Sequence, residues 1–156
     1  MSNFVMPTTD AITKLLAVLY GEDLETEESD DEEISDQYIA VFLDDEDKLA
    51  ALCACDLAFV GYTGGGLSMI PAGGIEDMID EEDLSSTLVG NFYEVMNICS
   101  KLMMVDSGAH LRLDKVLPPG EEGAAAVAEL EGRCTKQSFE VEIPRYGDGM
   151  MTVVIT

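Results

Sequence analysis

The stretch at residues 84–105 constrains the fold more than any other part of the chain. At 3.6 residues per turn, Leu88, Phe92, Val95, Cys99 and Leu102 fall on one face of a helix, an apolar stripe that must be covered. Asp80-Glu-Glu-Asp83 places negative charge where this helix begins, which its dipole favours. A second stripe, Ile12, Leu15, Leu16 and Leu19, follows Pro7-Thr-Thr and stops at Gly21, predicting a helix near residues 9–20. Short apolar runs supply the covering surface. Residues 38–43 and 49–60 read as strands paired antiparallel around the acidic turn 44–48, and Gly61-Tyr-Thr-Gly-Gly-Gly66 reads as a hairpin turn into a short strand at 67–70. Residues 110–117 form a strand with Leu111 and Leu113 on one face, and the runs 134–143 and 150–155 flank Tyr146-Gly-Asp-Gly149 as a terminal hairpin. Residues 71–79 and 124–130 read as minor helices. The expectation is an α+β fold: a mainly antiparallel sheet of about six strands with the two longer helices packed on one face. With 156 residues and 47% hydrophobic content, one domain over 1–156 is expected.

Charge narrows the partners. The formal charge is −24, from 32 Asp and Glu against 8 Lys and Arg, so DNA or RNA would be repelled over most of the surface. Residues 22–47 hold 14 of the 32 acids, a segregation that favours solvated loops over a uniformly acidic surface. Within that stretch, residues 22–36 have almost no apolar anchor, and like-charge repulsion predicts a mobile loop dispensable for folding. No apolar run approaches the roughly 18 residues that cross a bilayer, and the start lacks the pattern of a secretory signal. A cytoplasmic protein with no membrane partner is expected. Cys53, Cys55, Cys99 and Cys134 lie in apolar surroundings and read as free thiols, with Cys53 and Cys55 on one face of a strand. The glycines at 61–66 lack the Gly-Lys-Ser/Thr of a phosphate loop. Neither the cysteine spacing nor the lone His110 forms a metal-ligand pattern, so no cofactor of the chain's own is expected, and His110 reads as a structural or surface residue.

Opposite the apolar stripe of the 84–105 helix, Gly90, Glu94, Asn97 and Lys101 line up by steps of four, three and four. Tyr93 and Met104 border this row on one side and Ile98 on the other, so an acid and an amide sit within a partly apolar surface. Such a face suits docking onto another protein better than enclosing a small molecule. The segment Val89-Gly-Asn-Phe-Tyr-Glu94-Val-Met-Asn97-Ile-Cys resembles the Glu-x-x-Asn helix of the CheC/CheX chemotaxis phosphatases, which act on the response regulator CheY. In weak form the resemblance runs from Pro7 through the strand pair, the Gly-rich stretch and the motif helix to Pro118 and Pro119. Two features depart from the family pattern: Gly90 stands where the family usually has Asp or Ser, and Pro119 follows Asn97 at a shorter interval. One copy of the motif makes the chain closer to CheX than to CheC.

The resemblance implies a phosphatase that hydrolyses the aspartyl phosphate of a CheY-type regulator. Asn97 would orient the attacking water, since an amide donates and accepts at once but cannot act as a base near neutral pH. Glu94 would pair with a Lys of the regulator. The Mg²⁺ would be carried by the regulator. Tyr93, Glu94, Asn97, Ile98 and Lys101 would form the partner-binding face. The alternative is a non-catalytic module of the same fold that docks a regulator or switch component, and a third reading has the acidic stretch 22–36 holding a basic partner. A homodimer is expected, because an open sheet leaves an edge strand able to pair with its copy.

Overall fold

A computed structural model describes residues 4–30, 37–105 and 108–156. Its six strands are β1 (Glu25–Ser29), β2 (Tyr38–Leu43), β3 (Leu49–Cys55), β4 (Arg112–Leu117), β5 (Thr135–Ile143) and β6 (Gly147–Ile155). They form one sheet in the order β1-β5-β6-β3-β2-β4, and every neighbouring pair is antiparallel. The helices are α1 (Thr9–Tyr20), α2 (Leu57–Leu67), α3 (Ala72–Asp80), α4 (Ser86–Cys99) and α5 (Glu121–Leu130), with a 3-10 turn at Ser100–Met103. The α+β architecture with a six-stranded antiparallel sheet is the one the sequence predicts.

Period-two alternation divides the core between the two faces of the sheet. On one face Ala40, Phe42, Ala51, Cys53, Cys55, Phe139, Val141 and Val153 pack against Ile12 and Leu16 of α1, Phe59 and Val60 of α2, and Leu88, Phe92 and Val95 of α4. Both longer helices therefore lie on the same face, as expected. The other face carries a smaller cluster in which Ile39, Val41, Leu52, Leu117 and Val154 meet Leu130 of α5. Cys53, Cys55 and Cys99 are buried free thiols, and Cys134 is a half-buried one.

The first correction concerns residues 56–70. The strand expected at 49–60 ends at Cys55, and the presumed hairpin turn 61–66 lies inside α2. No strand forms at 67–70; α2 ends there and the chain turns toward α3. Asp56 starts α2 by accepting a hydrogen bond from the Phe59 amide (2.8 Å), and it also accepts one from the Met150 amide of β6 (3.1 Å). The glycines are there for contact rather than for turning. A Cβ at Gly64 would lie 2.3 Å from the Leu88 carbonyl oxygen of α4, and one at Gly65 would lie 2.3 Å from Ile75 Cδ1 of α3. From the sheet side, a Cβ at Gly149 would lie 2.5 Å from the Phe59 Cα. Helix α2 is thus clasped on several sides, which requires small residues at those contacts.

The second correction concerns residues 22–36, expected to be mobile. Within them Glu25–Ser29 is an edge strand on β5, and Leu24 is buried beside it. Excising the stretch would remove both. Residues 31–36 lie outside the described residues. The turn 44–48 forms as predicted, with the Asp44 carboxylate accepting from the Glu46 amide (2.8 Å) and the Lys48 amide (3.0 Å).

Candidate functional site

Helix α4 begins at Ser85, whose hydroxyl accepts from the Leu88 amide (3.2 Å). Its inner face buries Leu88, Phe92, Val95, Met96 and Cys99. The Phe92 ring meets Phe59 of α2 and Tyr38 of β2 edge-on, with centroids 6.3 and 6.4 Å apart. Asn91 fixes the helix laterally. Its Nδ2 donates to the Gly64 carbonyl (2.9 Å) and the Ser68 hydroxyl (2.7 Å), tying α4 to the end of α2. Sequence reasoning passed over Asn91, because a single amide next to the apolar stripe carries no periodic signal.

With the inner face held at these points, Glu94 and Asn97 are exposed on the opposite side, three residues apart and therefore adjacent. Gly90 completes the row, and a Cβ there would meet nothing within 4 Å, so the helix surface at this point is bare backbone in open space. Tyr93 and Ile98 flank the row half-buried. The α-helix expected to reach 105 tightens at Ser100–Met103, where the Ser100 hydroxyl donates to the Asn97 carbonyl (2.7 Å). The tighter turn keeps Lys101 exposed, and it leaves Leu102 half-buried while Met103 is buried in the core. The predicted face is therefore assembled at Tyr93, Glu94, Asn97 and Ile98, and Lys101 extends it from the 3-10 turn.

Two further apolar side chains stand where α4 runs out. The chain start pairs with the segment after the 3-10 turn through a Phe4–Met104 bridge and a Val5 amide donating to the Met103 carbonyl (2.9 Å). Val5 and Val105, 44% and 46% exposed, lie on these two paired segments. Residues a hundred positions apart give no local pattern by which they could have been found together.

Burial sets the acid–base properties of the interior. The Cys99 thiol on the inner face of α4 is pushed up to about 12 by desolvation, and Cys53 and Cys55 are raised by the same cause. These thiols stay protonated and unreactive at neutral pH. His110 is a surface residue, its amide donating to Asp45 (3.3 Å). Among the described residues no group of three or more His, Cys, Asp and Glu side chains could hold a metal ion, and no helix is long and apolar enough to cross a membrane.

No protein-family model matches the sequence, and no curated protein matches it. Solved structures do. The FliM chain of an H. pylori FliM–SpeE complex superposes with a TM-score of 0.62 at 9% identity, over 94% of this chain and 80% of the other. The fold is that of FliM. The middle domain of FliM from Vibrio alginolyticus agrees, with a TM-score of 0.54 at 12% identity over 94% of this chain and 87% of the other. CheX in a complex with CheY from Borrelia burgdorferi gives 0.45 at 10% identity, over 94% and 92% of the two chains, a score at which a common fold is not distinguished from common parts. The comparisons show the fold it shares with the FliM middle domain, and the closer kinship to CheX expected from the single motif is not among what they show.

Proposed function

We propose that the chain is a non-catalytic binding module that docks a response regulator or a switch component through the outer face of α4. The observation that carries this reading is the make-up of that face on a FliM-type fold. Glu94 and Asn97 stand exposed and are flanked by the half-buried Tyr93 and Ile98, while Gly90 offers no third polar side chain. Exposed polar groups set among partly apolar ones give a docking patch with little to enclose a substrate. One of the FliM structures of this fold is itself a complex with another protein. The choice of a CheY-type receiver as partner rests on the resemblance of the motif helix to that of CheC and CheX.

The same Glu94-x-x-Asn97 spacing supports a second reading, the aspartyl-phosphate phosphatase, in which Asn97 orients water and Glu94 engages a Lys of the regulator. One experiment separates them. The purified protein is mixed with phosphorylated CheY-type receivers, following complex formation by calorimetry and phosphate loss in parallel. Binding without faster phosphate loss is the expected result. Accelerated loss that Asn97→Ala abolishes would establish the phosphatase, and absence of both binding and acceleration would remove both readings.

A further inference from the structure

Strand β1 lies on β5 in a register that sets like charges face to face. Glu25 is opposite Glu142 and Glu27 is opposite Glu140, and across β5 Glu142 is opposite Asp148 of β6. Directly opposed residues share a face and alternate ones do not, so these five carboxylates occupy one side of the sheet in two adjacent rows. Neither row holds a Lys or Arg, and Arg145 in the β5–β6 turn makes no ion pair with them. The crowding is felt at Glu140. Its carboxyl is raised above the ordinary range by Asp148 first, then by partial desolvation, by Glu27 and by a hydrogen bond to the Asp148 carboxylate, with Asp56 at the head of α2 adding to the effect.

The other side of β1 packs against α1. Thr26 faces the helices with its hydroxyl oxygen buried and without a hydrogen-bond partner. The strand contributes no large apolar side chain of its own, and its neighbour Leu24 is the buried anchor. Apart from the backbone ladder, Gln137 Nε2 donates to the Ser29 carbonyl (3.2 Å) at the far end. Two like-charge pairs and an unsatisfied hydroxyl are set against five residues of ladder, the Leu24 anchor, the Gln137 bond and the packing of α1 on the strand, at the outermost position of the sheet.

We infer that β1 is an electrostatically gated edge strand, seated on β5 when the two carboxylate rows are screened and released when they are not, so that its release uncovers the β5 edge. The Debye length falls from roughly 30 Å at about 0.01 M salt to roughly 3 Å at about 1 M, and neighbouring rows of a sheet lie inside the first and outside the second. Protonation acts in the same direction as salt. Asp148 stays beside Glu140 when β1 leaves, so only the part of the Glu140 shift that comes from Glu27 is linked to seating; through that part seating is favoured as pH falls and weakens as it rises.

Hydrogen exchange on the full chain tests this, with the β6 amides as an internal reference. On raising NaCl from about 0.01 M to about 1 M at fixed pH, protection of residues 25–29 relative to β6 is expected to rise roughly three- to fivefold, the combined effect of two opposed pairs. Glu25→Gln with Glu27→Gln should show the high-salt protection already at low salt and lose most of the salt response. Glu140→Gln, changed from the β5 side, should do the same in part. Equal salt responses in β1 and β6 would mean general stabilisation of an acidic protein and would overturn the gate. So would a β1 response that persists undiminished in all three substitutions.

Discussion

A methyl group added at Gly64 and one added at Gly90 meet opposite surroundings, although both residues sit in helices. At Gly64 the new carbon lands on the Leu88 backbone, 2.3 Å from its oxygen, so α2 and α4 must separate. Gly64→Ala should destabilise by about 1–3 kcal/mol, the usual cost of overpacking. Gly90→Ala enters open space and exchanges a poor helix former for the best one, so it should stabilise by up to about 1 kcal/mol. Urea melts of the two variants would show midpoint shifts of opposite sign. On the outer face of the same helix, Asn97→Ala should leave the urea midpoint nearly unchanged, and Glu94→Ala should weaken receiver binding by about 1.5–3 kcal/mol if its carboxylate forms a charge-assisted bond to the partner. Inside, Cys99 gives a pH signature. Its folded value is raised from 9.0 to about 12, so its contribution is fully present below pH 9.0 and is lost as pH rises toward about 12. Urea midpoints measured in alkaline buffers should fall over that window, and a Cys99→Ala variant should fall less steeply.

At the scale of elements, what was legible in the sequence depended on whether an element has one wet side. Helices α1 and α4 do, and Ile12 with Leu16, and Leu88 with Phe92 and Val95, mark their buried faces at helical spacing. The strand pair around the 44–48 turn announced itself through an apolar run on each side of an acidic cluster. Helix α2 has no such contrast. Phe59, Val60, Gly61, Thr63, Gly64 and Gly65 are all buried, so its apolar pattern has no period and runs on from β3 without a break. Only Asp56 at its head marks the boundary, and one capping residue is a weak signal within so apolar a stretch. Strand β1 failed in the reverse way: its residues carry charge where a strand usually carries apolar side chains, so composition argued for a loop. The candidate face on α4 was legible because four exposed positions follow one helical row. Its lateral fixing by Asn91 and the pairing of Val5 with Met103 beyond its end were not, since both depend on contacts distant in sequence. Asp56 joins two elements with one carboxylate, so Asp56→Ala removes a helix cap and a tie to β6 together. A loss of about 1–3 kcal/mol in urea unfolding is expected, and Asp56→Asn, which can still accept, should recover part of it.

At the scale of the molecule, the sheet separates two kinds of surface. Helices α1, α2 and α4 lie on one face, with α3 packed on α2, and α5 covers part of the other, leaving the carboxylate rows of β1, β5 and β6 beyond its reach. The candidate face on α4 and the proposed gated edge thus sit on different layers. The sheet order also fixes when the sheet can be completed. Strand β6, the last in sequence, lies in the interior of the sheet between β5 and β3, whereas β1, the first, sits at an edge. During synthesis, β2 and β3 can pair early and β4 can join them. No strand joins the β1–β5 pair to that group until residues 147–155 have left the ribosome, so the sheet waits as two halves for β6. Closing it requires pairing across long sequence separations, the slow kind of folding step. Ribosome-bound chains arrested before residue 147 should be cut readily by protease, and chains extended past residue 155 by a linker long enough to clear the exit tunnel should become resistant in one step. Until that step the half-built sheet shows two open edges to its neighbours, and a formal charge of −24 sets like-charge repulsion against their pairing.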